Sequence, residues 1–278
     1  MPRAATELVP DVIRREENGH KSNNGKQPNR VTKALPDDRP DTGELRRLHP
    51  VQPSAPLMRP ERELTLMPAR LDPHLVSVHE HEPRAAAEFN RLAIAMLANA
   101  AKQPNLRRIL VASAHHAEGR TCVTLNMAAA LARTRKRVVV VDTDLQRPSV
   151  SRLLGIDSEI GLVEALTHNL GLHQAVTRLN PVDFHVLLTR SQVENPAELL
   201  SSVAFSKLVH ELEANYDFVL FDSAPLLASS DATLLELHTD ATLLVVRPQH
   251  TSASEMGRAI GQLAEEKLLG VVLNRTKN

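Results

Sequence analysis

Residues 138–148 have the sequence VVVVDTDLQRP and are the most informative stretch of the chain for its fold. Four consecutive valines predict a strand buried on both faces, as in a parallel sheet covered by helices. Asp142 ends this strand, and Asp144 lies two positions later, so in an extended stretch both carboxylates point to the same side. Ligands of open α/β sheets bind at the carboxyl ends of strands. The stretch therefore predicts a ligand site here, unless Asp142 only caps the next helix.

A second strand precedes this one and runs into a loop. Residues 109–121 have the sequence ILVASAHHAEGRT, and an alanine-rich helix is predicted over Thr121–Arg133. A loop between strand and helix that ends in Gly-Lys-Ser/Thr is typical of a P-loop, whose backbone N–H groups surround phosphates. Here the ending is Gly119-Arg120-Thr121. Taken alone, this segment could equally be an ordinary strand-to-helix turn.

A third apolar strand also ends in an acid. Residues 216–225 have the sequence YDFVLFDSAP, in which Asp222 follows the apolar run. An acid at this position is typical of a Walker B strand, whose carboxylate holds the Mg²⁺ shell. The three strand ends together predict a nucleotide site.

The rest of the chain from residue 85 alternates between helix and strand patterns. This alternation predicts βαβ units and therefore an α/β fold with a doubly wound, mostly parallel sheet. The further predicted helices are 85–101, 197–215, 231–237 and 254–266, and the further predicted strands are 184–188, 242–246 and 271–274.

Composition narrows the possible functions. The chain has 33 basic and 33 acidic residues, a balance that argues against a nucleic-acid surface. Its one cysteine, Cys122, fits a reducing cytosol. The N-terminus is too polar for a secretory signal, and no apolar run approaches the roughly 18 residues of a membrane helix. We therefore expect a cytoplasmic protein that reaches a membrane only through a partner.

The first 70 residues differ in character from the rest. They contain ten of the eighteen prolines and show no sustained apolar period. Such a composition is typical of disorder. We therefore predict a disordered, proline-rich arm over residues 1–70, either a tether or a carrier of a short partner-binding segment such as Glu7–Arg15, and a nucleotide-binding domain over residues 71–278.

With these segments identified, the chain resembles a known family over about residues 72–278. Its three strand-end segments are similar to the Walker A, Walker A′ and Walker B motifs of the bacterial tyrosine autokinases of capsule and exopolysaccharide biosynthesis. Septum-site and partitioning ATPases share the fold, so the resemblance implies a P-loop NTPase of the deviant-Walker type. Further similar segments are Glu88–Arg91, which resembles part of an interface helix motif, Asn195–Ser202, and Leu269–Arg275.

The resemblance implies roles for individual residues. Asp142 would be the base toward a tyrosine hydroxyl, assisted by Asp144, and Arg120 would neutralise β/γ-phosphate charge. The metal would be held by Thr121, Asp142 and Asp222. The nucleotide would contact Ala117, Glu118, Gly119, Arg120, Thr121, Cys122, Asn274 and Arg275.

The resemblance also implies an activity and partners. ATP and Mg²⁺ would serve transfer of the γ-phosphoryl group to a protein tyrosine in trans. A membrane-embedded polysaccharide chain-length or co-polymerase protein would be the partner at the inner membrane, and the Glu88–Arg91 helix could form a homo-oligomer. No nucleic acid is expected. Two alternatives remain: a catalytically weak or inactive ATP-binding scaffold of the same system, and a partitioning-type ATPase.

The chain departs from the family pattern at several positions. The usual P-loop lysine is Arg120, and the two residue types are not interchangeable in tight sites. A usual glycine is Ala117, the second arginine of the interface helix is Ile94, and the tyrosine-rich tail is missing. The only tyrosine, Tyr216, is expected to pack at the start of a strand. His79–Glu82 could bind a metal or be a solvated linker.

Overall fold

The computed structural model describes residues 58–79 and 82–274. Within them, the strands are β1 (Arg62–Thr65), β2 (Arg108–Ser113), β3 (Val138–Asp142), β4 (Thr177–Asn180), β5 (Phe184–Leu187), β6 (Phe218–Asp222), β7 (Ala241–Val246) and β8 (Leu268–Leu273). The α-helices are α1 (Val76–His79), α2 (Pro83–Lys102), α3 (Arg120–Ala132), α4 (Val150–Leu154), α5 (Leu162–Thr167), α6 (Leu172–Ala175), α7 (Pro196–Leu200), α8 (Val203–Asn215), α9 (Asp231–Glu236) and α10 (Ala253–Ile260).

The eight strands form one sheet in the order β1-β4-β5-β3-β6-β2-β7-β8. From β5 to β8 all neighbours are parallel. The β4–β5 pair is antiparallel, and β1 is parallel to β4, so these two edge strands are reversed. The predicted doubly wound, mostly parallel sheet is confirmed.

The sheet is covered on both faces, as the four valines of β3 indicate. Val138 and Val140 pack in one hydrophobic core with residues of α2 and α3. Val139 and Val141 pack in the other core with residues of α8. Because successive side chains of a strand point to opposite faces, a strand between two helix layers must be apolar at every position.

One edge strand lies where the sequence predicted only an arm. Arg62–Thr65 pairs with Thr177–Asn180, and Leu66 just beyond it is 5% exposed and part of the core. Residues 58–70 therefore join the sheet domain, and the predicted boundary at residue 70 is too late. The rest of the predicted arm over residues 1–70, namely residues 1–57 with Glu7–Arg15, lies outside the described residues.

Several element limits differ from the predicted ones. The predicted helix 197–215 is divided into α7 and α8 because Ser202 caps α8, accepting a hydrogen bond from the Phe205 N–H at 3.0 Å. The predicted helix 254–266 ends at Ile260. Within residues 58–79 and 82–274, every helix is too short or too polar to cross a membrane.

Candidate functional site

The three strand ends that the sequence singled out lie side by side. β3, β6 and β2 are consecutive in the sheet, and Asp142 is the register partner of Asp222. The loop after β2 leads into α3, which begins at Arg120. The topology thus places two carboxylates beside the N-terminus of a helix, where backbone N–H groups favour anions.

The loop between β2 and α3 uses two left-handed residues. Gly119 has a φ of 86°, and Ala117 has a φ of 61°. A Cβ on Gly119 would collide with the side-chain amide of Asn274. This position therefore requires glycine both for its left-handed backbone and for lack of space. Ala117 adopts the same backbone region with a Cβ, which costs about 1–2 kcal/mol.

Glu118 faces the protein rather than an open anion site. Its side chain is buried and accepts hydrogen bonds from the His115 N–H at 2.7 Å, from the Arg247 N–H at 3.1 Å and from the Thr251 hydroxyl. The Asn274 side-chain amide donates to the Glu118 carbonyl at 2.7 Å. This carboxylate therefore fixes the loop to the segment after β7, and Asn274 fixes it to the end of β8.

The Arg120 guanidinium lies among carboxylates. It donates to the Ser113 hydroxyl at 2.7 Å and to the Asp144 carboxylate at 2.7 Å. Its Nε lies 3.4 Å from Asp222 Oδ1, an ion pair without a hydrogen bond. The three contacts use three separate nitrogens of the planar guanidinium, which the single nitrogen of a lysine ammonium cannot reproduce.

Thr121 and Asp222, two of the predicted metal ligands, are in direct contact. The Thr121 hydroxyl donates to Asp222 at 2.6 Å and lies 2.9 Å from the Ser149 hydroxyl. Thr124, one turn further along α3, donates to the same carboxylate at 3.3 Å. Burial raises the pKa of Asp222, while the charge of Arg120 and these hydroxyl donors oppose the shift.

Asp142 uses its two oxygens differently. Oδ2 accepts hydrogen bonds from the Ser149 and Val150 N–H groups, each at 3.1 Å, so the capping alternative is realised by this oxygen. Oδ1 is buried and has no hydrogen-bond partner among the described residues. Burial, reinforced by the charge of Asp222, raises the pKa of Asp142 well above its ordinary value. A buried oxygen without a donor is unusual and indicates a missing ligand or proton.

Asp144 connects two parts of the site. Besides holding Arg120, it accepts the Arg147 N–H at 3.1 Å through Oδ1, which fixes the turn after β3. Burial raises the pKa of Asp144, and the charge of Arg120 opposes this shift.

Residues 117–122 and Asp144 line a cavity of about 330 Å³ beside the carboxyl ends of the strands. Asp142 and Asp222 are fully buried and are not among its lining residues. Cys122, which is half-buried, is part of its wall. The lining also includes residues outside the predicted set: Asp72, His74, Ser113, His115, His116, Arg147, Ser149, Arg152 and Leu153.

Other candidates lie apart from this cavity or outside the description. Tyr216 is 2% exposed, and its hydroxyl lies 2.7 Å from His185 Nδ1, as expected for a packing residue. Glu88 and Arg91 form an ion pair at 2.6 Å on α2, where Ile94 is 63% exposed. Arg275 lies outside the described residues, as do Glu80 and His81 of the predicted His79–Glu82 segment.

Sequence reasoning missed the residues that support the loop from a distance. Arg247 and Thr251 follow β7, about 130 positions after Glu118, and no local motif marks them. Only the pairing of β7 with β2 brings this segment to the loop. The available signal was general: loops at the carboxyl ends of neighbouring parallel strands share one edge of the sheet.

Comparisons with known proteins agree with this geometry. Residues 107–266 match the family model described as an AAA domain. Tyrosine-protein kinase YwqD of Bacillus subtilis (strain 168) is 33% identical over 174 residues, which cover 62% of this chain and 73% of that protein. Tyrosine-protein kinase wzc of Salmonella typhi is 32% identical over 56% of this chain, but the chain spans only 22% of that longer relative.

A solved structure gives the same assignment. The kinase domain of the Escherichia coli tyrosine kinase ETK superposes with a TM-score of 0.68 at 25% identity, covering 75% of this chain and 84% of that one. The family model spans more than half of the chain. The chain therefore belongs to the bacterial tyrosine-protein kinases, within the AAA-domain family.

Proposed function

We propose that the chain binds ATP with Mg²⁺ and transfers the γ-phosphoryl group to a tyrosine of another protein, as a component of exopolysaccharide or capsule synthesis and export. The supporting observation is the cluster of Thr121, Asp142 and Asp222 at neighbouring strand ends, next to a left-handed loop at a helix N-terminus. Relatives named as tyrosine-protein kinases support the reaction class.

The residues present fit Mg²⁺. This ion prefers hard oxygen ligands and usually keeps several waters, so a hydroxyl and one or two carboxylates suffice. Thr121 and Asp222 supply these groups within hydrogen-bond distance of each other, and Asp142 Oδ1 is a buried oxygen without a donor. Within residues 58–79 and 82–274 no group of three His, Cys, Asp or Glu side chains could hold a metal by itself, so Mg²⁺ here would rely on the Thr121 hydroxyl and on water as well as on carboxylates.

The chain's own residues would act by positioning and charge. Thr121 and Asp222 would hold Mg²⁺, which neutralises phosphate charge when it is bound. The loop N–H groups and Arg120 would hold the phosphates, and Asp142 would accept the proton of the acceptor hydroxyl.

Calorimetry and a phosphotransfer assay with a tyrosine-rich acceptor peptide test this proposal. We expect Mg²⁺-dependent ATP binding and transfer that Asp142→Asn abolishes. Asp217→Asn, which changes an acid at the opposite end of β6, is the matched control and should leave transfer intact. Absence of any Mg²⁺-dependent response to millimolar ATP or ADP would refute a nucleotide site.

Arg120 supports a second candidate, an ATP-binding scaffold with little catalysis. Its guanidinium is already held by Ser113 and Asp144, so engaging phosphates requires these contacts to change. We expect Arg120→Lys to raise the transfer rate, because a misplaced charge contact in such a site can cost about 10²–10³ in rate. If wild type and Arg120→Lys both bind ATP yet produce no phosphotyrosine, the scaffold function replaces the kinase function.

On the same proposal, the partners would be a membrane-embedded co-polymerase and a second copy that uses the Glu88–Arg91 helix. The Glu88–Arg91 ion pair lies on α2 with the exposed Ile94 one turn further. The apolar residue adds surface that a partner could cover.

A further inference from the structure

Two arginines lie in the wall of the site beyond the expected nucleotide contacts. Arg147 and Arg152 are both exposed and line the same 330 Å³ cavity as the phosphate loop. Within the described part of the chain, the side chain of Arg147 has no hydrogen bond or ion pair, and Arg152 meets only the charge of Asp72 at longer range. Exposed cations without close partners are available to an anionic ligand.

The segment that carries these arginines is anchored by the two acids of the reaction centre. Asp144 accepts the Arg147 N–H at 3.1 Å, and Asp142 accepts the N–H groups of Ser149 and Val150. Val150 is the first residue of α4, the helix that contains Arg152. A ligand bound to these arginines therefore lies in the cavity that Asp144 lines, next to the turn whose Ser149 N–H group Asp142 holds.

The other charges around this part of the cavity leave it cationic. Three carboxylates line the cavity, of which Asp144 is paired with Arg120 and Glu118 accepts three hydrogen bonds from the protein. The third is Asp72, whose contacts with His74 and the charge of Arg152 offset the effect of burial and lower its pKa. His116 also lines the cavity, and burial and the charge of Arg147 lower its pKa. Arg147 and Arg152 thus exceed the one remaining carboxylate, Asp72.

From these observations we propose that Arg147 and Arg152 form an acceptor subsite that selects a protein tyrosine flanked by acidic residues. The inference rests on the proposed function, because a kinase that acts in trans must present its acceptor hydroxyl next to the general base. An acidic flank would pair with the arginines and leave the tyrosine at Asp142, whereas a basic flank would be repelled.

The test is the affinity of labelled peptides for the full chain with Mg·ADP bound. Three peptides of one length carry a single tyrosine flanked by glutamates, by glutamines or by lysines. We expect the glutamate peptide to bind at least about tenfold more tightly than the lysine peptide at low salt, since two exposed ion pairs are each replaced by a repulsion. The preference should shrink as salt screens these charges.

Charge variants then locate the subsite. Arg147→Glu/Arg152→Glu should reverse the preference and raise KM for the acidic peptide in the transfer assay. Arg107→Glu/Lys136→Glu makes the same charge change next to the amino ends of β2 and β3, and it should leave the preference unchanged. Equal affinity for all three peptides, or equal effects of both double variants, would overturn the subsite.

These experiments distinguish a failure of the acceptor subsite from a failure of the kinase function. If the acidic peptide binds selectively through the arginines and no peptide is phosphorylated, the subsite stands and the kinase function fails. If all three peptides are phosphorylated with the same KM, the kinase function stands and the subsite is refuted.

Discussion

At the scale of single residues, the phosphate loop contains a backbone conformation that its sequence does not favour. Ala117 has a φ of 61°, whereas the resembling family usually has glycine there. A left-handed φ costs glycine nothing but strains a residue that carries a Cβ, so Ala117 is strained here. Strained residues persist where the surroundings fix the backbone, and here the fixed Glu118 follows directly.

We expect Ala117→Gly to stabilise the fold. The change removes a strain of about 1–2 kcal/mol, but glycine also raises the entropy of the unfolded chain, which costs about 0.4–1 kcal/mol. The expected net gain in the free energy of unfolding is therefore between about 0 and 1.6 kcal/mol, measured by denaturant unfolding. Arg135→Gly, also at a φ of 61° but between α3 and β3, is the matched control. Both variants should gain stability, whereas only Ala117→Gly should change ATP affinity. A loss of stability in Ala117→Gly alone would show that the alanine methyl group packs favourably.

A buried histidine gives a second expectation at this scale. Burial lowers the pKa of His185 to about 4, so the unfolded chain binds a proton more readily between about pH 4 and 6.5. This contribution to stability is complete above about pH 6.5 and is lost as the pH falls toward 4, by about 2 kcal/mol between pH 7 and 5. His185→Gln should flatten the pH dependence of the unfolding free energy by this amount. An unchanged slope in the variant would mean that His185 is protonated in the folded protein.

At the scale of elements, the site depends on a connection between the loops that follow β2 and β7. Glu118 in the first loop accepts hydrogen bonds from the Arg247 N–H and the Thr251 hydroxyl in the second. A buried carboxylate that loses a donor retains its desolvation penalty, so these contacts matter more than their net strength suggests.

A double-mutant cycle measures this connection. We expect Glu118→Gln and Thr251→Val each to destabilise the fold by about 1–3 kcal/mol and to weaken ATP binding. The double variant should lose less than the sum, with a coupling of about 0.5–3 kcal/mol. Thr167→Val is the control, because the Thr167 hydroxyl donates within α5 to the Val163 carbonyl at 2.8 Å and should show no coupling to Glu118. Strict additivity of Glu118→Gln and Thr251→Val would refute the connection.

The elements also show what sequence could and could not predict. β2, β3 and β6 were predictable because each central strand is a continuous apolar run with a polar residue at its end. β1 was not predicted, because its sequence RELT is polar and has no strand-like apolar pattern. It is a strand because it pairs with β4 at the edge of the sheet. The positions of Asp142 and Asp222 at strand ends, and of Thr121 after the loop, could be predicted from local sequence. The partners of Arg120 and Glu118 could not, because they depend on the order of the strands in the sheet, which no local motif encodes.

At the scale of the whole molecule, the proposed nucleotide site and the reversed edge strands lie at different positions along the sheet. β1 and β4 lie on one side of β5, and the strands that carry the site begin at β3. The edge is nevertheless joined to the domain by the Arg62–Ser158 hydrogen bond at 2.8 Å and the Met58 N–H bond to Asn215 at 3.2 Å. We therefore expect this edge to contribute to stability without contributing to nucleotide binding.

Two truncations separate these roles. A chain that begins at residue 58 should match the full chain in unfolding free energy, since the proline-rich composition of residues 1–57 predicts little buried surface. A chain that begins at residue 71 removes β1 and Leu66, so it should lose at least about 2 kcal/mol, the order of one buried leucine. Both should bind Mg·ATP with the affinity of the full chain, because two strands lie between β1 and β3. If the chain from residue 71 is as stable as the chain from residue 58, β1 is dispensable. The stable domain then begins at residue 71, as predicted from the sequence.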